Sequence, residues 1–291
     1  MAEQDRLQLI GQSFAMLADG ESARFARELG RVLAALERDL LALVQDVRGH
    51  KRSALAKVGR LLQLRREVRE ALDKAGYGQL VTRASIDVVD GMASVAARSR
   101  IAEAGARLGR VSPARLKTLA DLLRADLFGI GEQMAHQVWR ASVFAVYTNR
   151  PASVLVGKLA EAIEKTRAQA QTLFDTQVSV IGREIVAQEE TEDGQAFLYV
   201  GPSDGVVRAW CLDHLGMVMT RDRIEALDNG QLPNPFITGG GYNCRHSWLA
   251  VSDPDLVALA YTGERAPGYD AMVARAREAR ARLKAQRRRA A

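Results

Sequence analysis

The sequence predicts a mainly α protein, with a long-helix bundle as its N-terminal body, then a small α+β C-terminal domain and a basic helical tail. Three observations point there. From Glu3 to about Glu190, Ala, Leu, Arg and Glu dominate, apolar residues recur at spacings of three and four, and the prolines are Pro113 and Pro151. From Asp193, Gly, Pro, Asn, Tyr and Trp become frequent and the helical period fades. The last stretch is crowded with arginine. These shifts set the expected divisions at 1–192 for the body, 193–254 for the small domain and 255–291 for the tail.

Within the body, Leu29, Leu33, Leu36, Leu40, Leu43 and Val47 alternate spacings of four and three, the stripe of a helix buried lengthwise along one side. A break at His50-Lys51-Arg52-Ser53 precedes a second helix, with Val58, Leu61, Leu64, Val68 and Leu72 facing inward and an end near Gly76 and Gly78. Ser112-Pro113 supplies a cap and a first-turn proline before Leu116, Leu119, Leu122 and Leu123. Asn149-Arg150-Pro151 then separates that region from a last long helix over Val154 to Glu190, giving roughly five to seven helices in all.

In the small domain, Gln195 to Val200 predicts a strand closed by Gly201-Pro202, and Cys244 to Val251 predicts another, entered from Gly239-Gly240-Gly241. A short helix is expected over Arg221 to Leu227. After Tyr269 the pattern is a charged helix fading into a solvated end.

Composition excludes some classes. Purely apolar runs such as Leu40 to Val44 are far short of the roughly 20 residues of a membrane span, so no membrane partner is expected. Met1 to Arg6 carries two acids and lacks the pattern of a secretory signal, which predicts folding in the cytoplasm that made it. Two cysteines are too few for a disulfide scaffold.

Both cysteines and two of the four histidines fall together, as Cys211-x-x-His214 and Cys244-x-His246. Thiolate and imidazole are the donors zinc prefers, and four of them describe a closed structural tetrahedron that would staple a domain with few large apolar residues. The same residues also fit a buried thiol pair without metal, or a disulfide formed outside the cell. A nuclease site would use His214, Asn243 and His246 as base, orienter and metal ligand, but His214 sits amid Cys211, Asp213 and Gly216, unlike a strand-end histidine. A cysteine protease lacks a glycine-flanked nucleophile. His136, three residues before Trp139, is expected in the core or an interface, and His50 in a solvated loop. The triple glycine has no following Lys-Ser/Thr, so it suggests a sharp turn beneath Tyr242 and Trp248 before it suggests a phosphate cradle.

The last twenty-one residues carry Arg275, Arg277, Arg280, Arg282, Lys284, Arg287, Arg288 and Arg289 against Glu278 alone, more positive charge than the whole chain's net +6. Such a segment can neutralise the phosphates of DNA without reading bases; RNA, an acidic protein surface or plain solvation of the chain end fit it as well.

Tyr199-Val200-Gly201-Pro202-Ser203-Asp204, Arg208-Ala209-Trp210-Cys211, Asp228-Asn229-Gly230 and Gly240-Gly241-Tyr242-Asn243-Cys244-Arg245-His246-Ser247-Trp248 are four landmarks that, in this order, resemble the phage Mu protein F-like minor head protein family. The positions that match are Gly201, Pro202, Asp204, Arg208, Cys211, Gly240, Gly241, Asn243, Cys244, Arg245 and His246. Arg208-Ala209-Trp210-Cys211 stands where members often carry Arg-Pro-Phe-Cys, and His214 lies outside the pattern, leaving Cys211, Cys244 and His246 as a three-ligand core. The resemblance implies a structural protein of a tailed-phage head. It would act in head morphogenesis near the portal, meet portal, major capsid or scaffold proteins, contact double-stranded genomic DNA, and reside in the virion after assembly in the bacterial cytoplasm. The alternative class is a metal-dependent nuclease or effector-type enzyme carried in the head. The stretch after Trp248 is short for an appended effector domain.

Overall fold

A computed structural model describes residues 2–49, 54–102, 112–147, 152–186 and 195–290. The expected breaks at His50 to Ser53 and at Asn149 to Pro151, and the body's end at 187–192, lie outside the described residues. So does the surrounding of His50.

The protein is mainly α, as the sequence predicts. Five long helices come first: α1 (Glu3–Gly49), α2 (Ala54–Lys74), α3 (Tyr77–Ala102), α4 (Pro113–Tyr147) and α5 (Ala152–Val186). Then follow β1 (Ala196–Val200), α6 (Ala209–His214), β2 (Val218–Thr220), α7 (Arg221–Glu225), α8 (Pro235–Thr238), β3 (Ser247–Ala250), α9 (Pro254–Thr262) and α10 (Tyr269–Ala290). No helix among the described residues is long and apolar enough to cross a membrane.

These elements form two compact units that are not consecutive stretches. One comprises Met1–Gly20, Val88–Leu116 and Asp175–Ala291, the other Glu21–Asp87 and Lys117–Phe174. Residues 1–20 and 175–186, expected in the helical body, and 255–290, expected as tail, thus belong to the same unit as 195–254.

The second unit is helical. The α1 stripe is buried as its spacing requires, with Leu29, Leu33, Leu36 and Leu40 all inaccessible to water, and Leu64, Val68 and Leu72 of α2 are buried too. Phe25 stacks on Phe174 at 4.1 Å, and the buried Tyr77 hydroxyl donates to the Leu127 carbonyl at 2.7 Å. Two expectations change here. Gly78 lies inside α3 and does not end α2, because Gly76 alone, at φ 88°, makes the turn. His136 is exposed and stacks on Trp139 at 5.7 Å, one turn along the same helix, so it is no core residue.

In the first unit, Ser112 Oγ accepts from the Arg115 amide at 3.3 Å, the expected cap of α4. The sheet has the order β2-β1-β3, antiparallel throughout, with Phe197 opposite Met219 and Tyr199 opposite Trp248. All five residues of β1 are buried, since both faces of this central strand are covered. Ala196, Leu198 and Val200 face a core shared with Leu7 of α1, Leu256 and Ala260 of α9, and Tyr269 and Val273 of α10. Phe197 and Tyr199 face the opposite way, among Cys211, Leu212, Phe236, Cys244 and Trp248.

The C-terminal helix therefore begins as part of the core. Its buried residues Tyr269, Val273 and Ala276 recur at four and three, and the solvated character expected of the tail starts only beyond them. Asp253 caps α9 by accepting from the Asp255 amide at 2.9 Å, Pro254 opens it, and Gly263 closes it at φ 77°.

Candidate metal centre

The central strand aims Tyr199 at the covered face where α6, the glycine turn and the entry to β3 meet. Helix α6 supplies Cys211, the turn after Gly241 supplies Cys244, and the residue before β3 supplies His246. Cys211, Cys244 and His246 are buried, with donor atoms all within 4.8 Å of one another, and this cluster can hold a metal ion. The two sulfurs are free thiols 3.6 Å apart. Nδ1 of His246 lies 4.0 Å from Cys244 Sγ, and its Nε2 is buried without a hydrogen-bond partner among the described residues.

His214, expected as the fourth ligand, is not in this cluster. Its Nδ1 lies 2.8 Å from the Trp210 carbonyl, one turn back on α6, and its ring stacks on Trp210 at 4.0 Å. Burial pushes its pKa below the ordinary value. The nuclease arrangement meets the same obstacle, because Asn243 is turned to Thr176, accepting its hydroxyl at 3.1 Å while the Asn243 amide donates back at 3.2 Å. Asn243 sits at φ 55°, a left-handed conformation that asparagine tolerates better than most residues.

The glycines are explained by the sulfurs. A Cβ on Gly240 would stand 2.4 Å from Cys211 Sγ, and one on Gly239 would stand 2.9 Å from Cys244 Sγ. With no side chain in the way, the Gly240 amide donates to Cys244 Sγ at 3.1 Å. Gly201 has the same role toward His246, whose Cδ2 a Cβ would approach to 2.6 Å. Gly239 and Gly240 thus wall the cluster, while Gly241 packs against Gln231.

Arg183 of α5 was not among the candidates in the sequence. Its side chain is buried, and it donates through Nε to the His246 carbonyl at 2.6 Å, through Nη1 to the Ile237 carbonyl at 3.0 Å, and through Nη2 to the Cys244 carbonyl. One planar guanidinium thus ties α5 to both arms of the turn that carries the ligands.

The two thiols are unequal. Cys211 and Cys244 share a hydrogen bond, and that bond, with burial, holds the Cys211 pKa above the usual thiol range. Burial pushes Cys244 up as well, but the Cys211 thiol, the Arg183 charge and His246 outweigh it and hold Cys244 well below its ordinary value.

The remaining motif residues brace this centre. Arg245 pairs with Asp204 at 2.7 Å and with Asp19 of α1 at 3.1 Å. Arg208 donates to the Gly240 carbonyl at 2.8 Å, and Trp210 Nε1 donates to the Asp228 carbonyl at 2.9 Å. Asn229 accepts the Gln231 and Leu232 amides and donates to the Gly239 carbonyl at 2.8 Å. Gly201 is bound from outside by Gln8 of α1, whose Nε2 donates to the Gly201 carbonyl at 2.6 Å. Pro202, half-buried, follows it.

All eight basic tail residues, Arg275, Arg277, Arg280, Arg282, Lys284, Arg287, Arg288 and Arg289, are exposed on α10. Arg277 pairs with Asp213 at 2.7 Å and Arg282 with Glu278 at 3.5 Å; the other six form no ion pair among the described residues.

The fold and site together define a helical chain whose C-terminal unit is built round a buried Cys/Cys/His cluster. No protein-family model, no curated protein and no solved structure matches it.

Proposed function

We propose that this chain is a structural minor head protein of a tailed bacteriophage, acting in head morphogenesis near the portal, with a zinc-stapled C-terminal unit and a basic helix that contacts packaged DNA. One observation carries the reading. The four sequence landmarks that resemble the phage Mu protein F-like family, spread over 199–248, interlock as a single centre: Gly201 against His246, Asp204 with Arg245, Arg208 with Gly240, Trp210 with Asp228, and Cys211 beside Cys244. Residues that share one structural task are those a family would keep together.

Zinc suits the donors. Two thiolates bound to one tetrahedral zinc at about 2.3 Å stand about 3.8 Å apart, and Cys211 and Cys244 stand 3.6 Å apart. The orphaned Nε2 of His246 costs desolvation without return unless something binds the ring. The six unpaired basic residues of α10 supply a dense, non-specific phosphate-binding surface.

Particles purified from cells carrying the gene test the assignment. The chain is expected to co-purify with DNA-filled heads in fewer copies than the major capsid protein, and cryo-electron microscopy should place it at the portal vertex. Heads that assemble, package and infect normally when the gene is deleted would overturn it. For the metal, the purified chain should hold one zinc, and Cys211→Ser or Cys244→Ser should lose it and lower the melting temperature; a zinc-free parent that melts like both variants refutes the staple.

A further inference from the structure

With His214 turned away, three side chains from the expected set remain for a metal that takes four donors in a closed site. The side-chain oxygen that contacts both sulfurs is the hydroxyl of Tyr199. It lies 3.4 Å from Cys244 Sγ and 3.6 Å from Cys211 Sγ, while the sulfurs are 3.6 Å apart. These three atoms form a nearly equilateral triangle. On a tetrahedron with a metal–sulfur bond of about 2.3 Å and a metal–oxygen bond of about 2.0 Å, the oxygen–sulfur edge is about 3.5 Å. The triangle matches one face of such a tetrahedron, and His246, whose Nδ1 lies 4.0 Å from Cys244 Sγ, is the remaining donor.

We propose that Tyr199 is the fourth ligand, its phenol oxygen completing a Cys211, Cys244, His246, Tyr199 site. The proposal rests on the zinc reading above.

Charge supports the set independently. Arg183 is a buried cation whose three hydrogen bonds among the described residues all go to neutral carbonyls, and a buried charge needs a counter-charge. Its charge favours the ionised forms of Tyr199, Cys211 and Cys244, although burial and neighbouring hydrogen bonds outweigh it at Tyr199 and Cys211. A divalent cation bound by two thiolates and a phenolate carries one net negative charge, and Arg183 cancels it. A site with the two thiolates alone would be neutral and leave the guanidinium uncompensated. On binding, the thiols and the phenol each release to solvent whatever proton they still hold, so uptake is pH-dependent.

Tyr199→Phe isolates the oxygen. The ring keeps its contacts with His246, Trp210 and Trp248, so the fold should persist, which a melt of the metal-free variant checks. Cobalt(II) is the probe, added to the full chain after chelator treatment. The parent should show the intense visible absorption of tetrahedral thiolate-bound cobalt together with a phenolate difference band at neutral pH. The variant should lose the phenolate band, shift the visible spectrum and bind at least about tenfold more weakly. If parent and variant bind with equal affinity and identical spectra, Tyr199 is no ligand while the staple stands. If the parent binds neither cobalt nor zinc, the zinc reading falls and this inference with it.

Discussion

Replacing Arg183 with methionine strips three carbonyl oxygens, the buried ones of Cys244 and His246 and the part-buried one of Ile237, of their donor at once. Each orphaned acceptor costs about 1–3 kcal/mol, so the gross penalty is about 3–9 kcal/mol. Methionine fills the space of the aliphatic stem, and relaxation of the turn lets water reach part of the site. The net loss should then fall near the about 3–5 kcal/mol seen when one partner of a buried charged arrangement is removed. Arg183→Lys keeps the charge but not the planar fork, and a single ammonium cannot span carbonyls on both arms of the turn, so it should recover about half of that.

The assay is urea unfolding followed by tryptophan fluorescence in a Trp139→Phe background, which leaves Trp210 and Trp248, both beside the centre. The expected order of midpoints is parent, then lysine, then methionine. A methionine variant within about 0.5 kcal/mol of the parent would refute the reasoning, since surface-like substitutions behave that way. So would a lysine variant as unstable as methionine, because the remaining charge would then count for nothing.

Gly240→Ala places a methyl 2.4 Å from Cys211 Sγ and should cost about 1–3 kcal/mol in a thermal melt. Gly157→Ala, in α5 with open space around it, should instead stabilise by about 0.5–1 kcal/mol, and equal effects would sink the close-approach argument. Changing Arg280, Lys284, Arg287, Arg288 and Arg289 to glutamine should flatten the log–log salt dependence of duplex DNA binding by about 4 to 5 units; an unchanged slope places the contact elsewhere. His214 titrates below its ordinary value when folded, so the unfolded chain binds the proton first. Stability should therefore fall as pH drops below about 6.5 toward the depressed value. His214→Gln should weaken that acid-side fall, and an unaltered pH profile counts against it.

Much of the helical architecture is legible because burial needs period. The Leu29 to Leu40 stripe states its own orientation, and the apolar run Ala196 to Val200 states a central strand. What lacks period is hidden: β2 is only Val218–Thr220, and in α10 the stripe of Tyr269, Val273 and Ala276 is drowned by arginine. α9 went unread inside the expected tail, although Asp253-Pro254 and Gly263 bracket it as cap, first-turn proline and C-terminal glycine.

The site divides along a different line. Cys211, Cys244 and His246 could be found because their donor atoms are chemically distinctive wherever they stand. His214 shares that chemistry but not the place, since a helix one turn long offers it the Trp210 carbonyl and ring first. Arg183 and Tyr199 have the place without a distinctive label. A cation inside the apolar stretch Val178 to Ile185 was the one available signal for Arg183, and a tyrosine in a strand reads as core. The glycines bridge the two cases. Gly201, Gly239 and Gly240 have no chemistry of their own, yet each marks a spot where a sulfur or an imidazole leaves no room for a methyl group. In the landmarks that resemble the phage family, glycine and cysteine therefore record one fact twice, as the ligand and as the space it occupies. A chain that kept the cysteines but filled those glycines could not close the same centre.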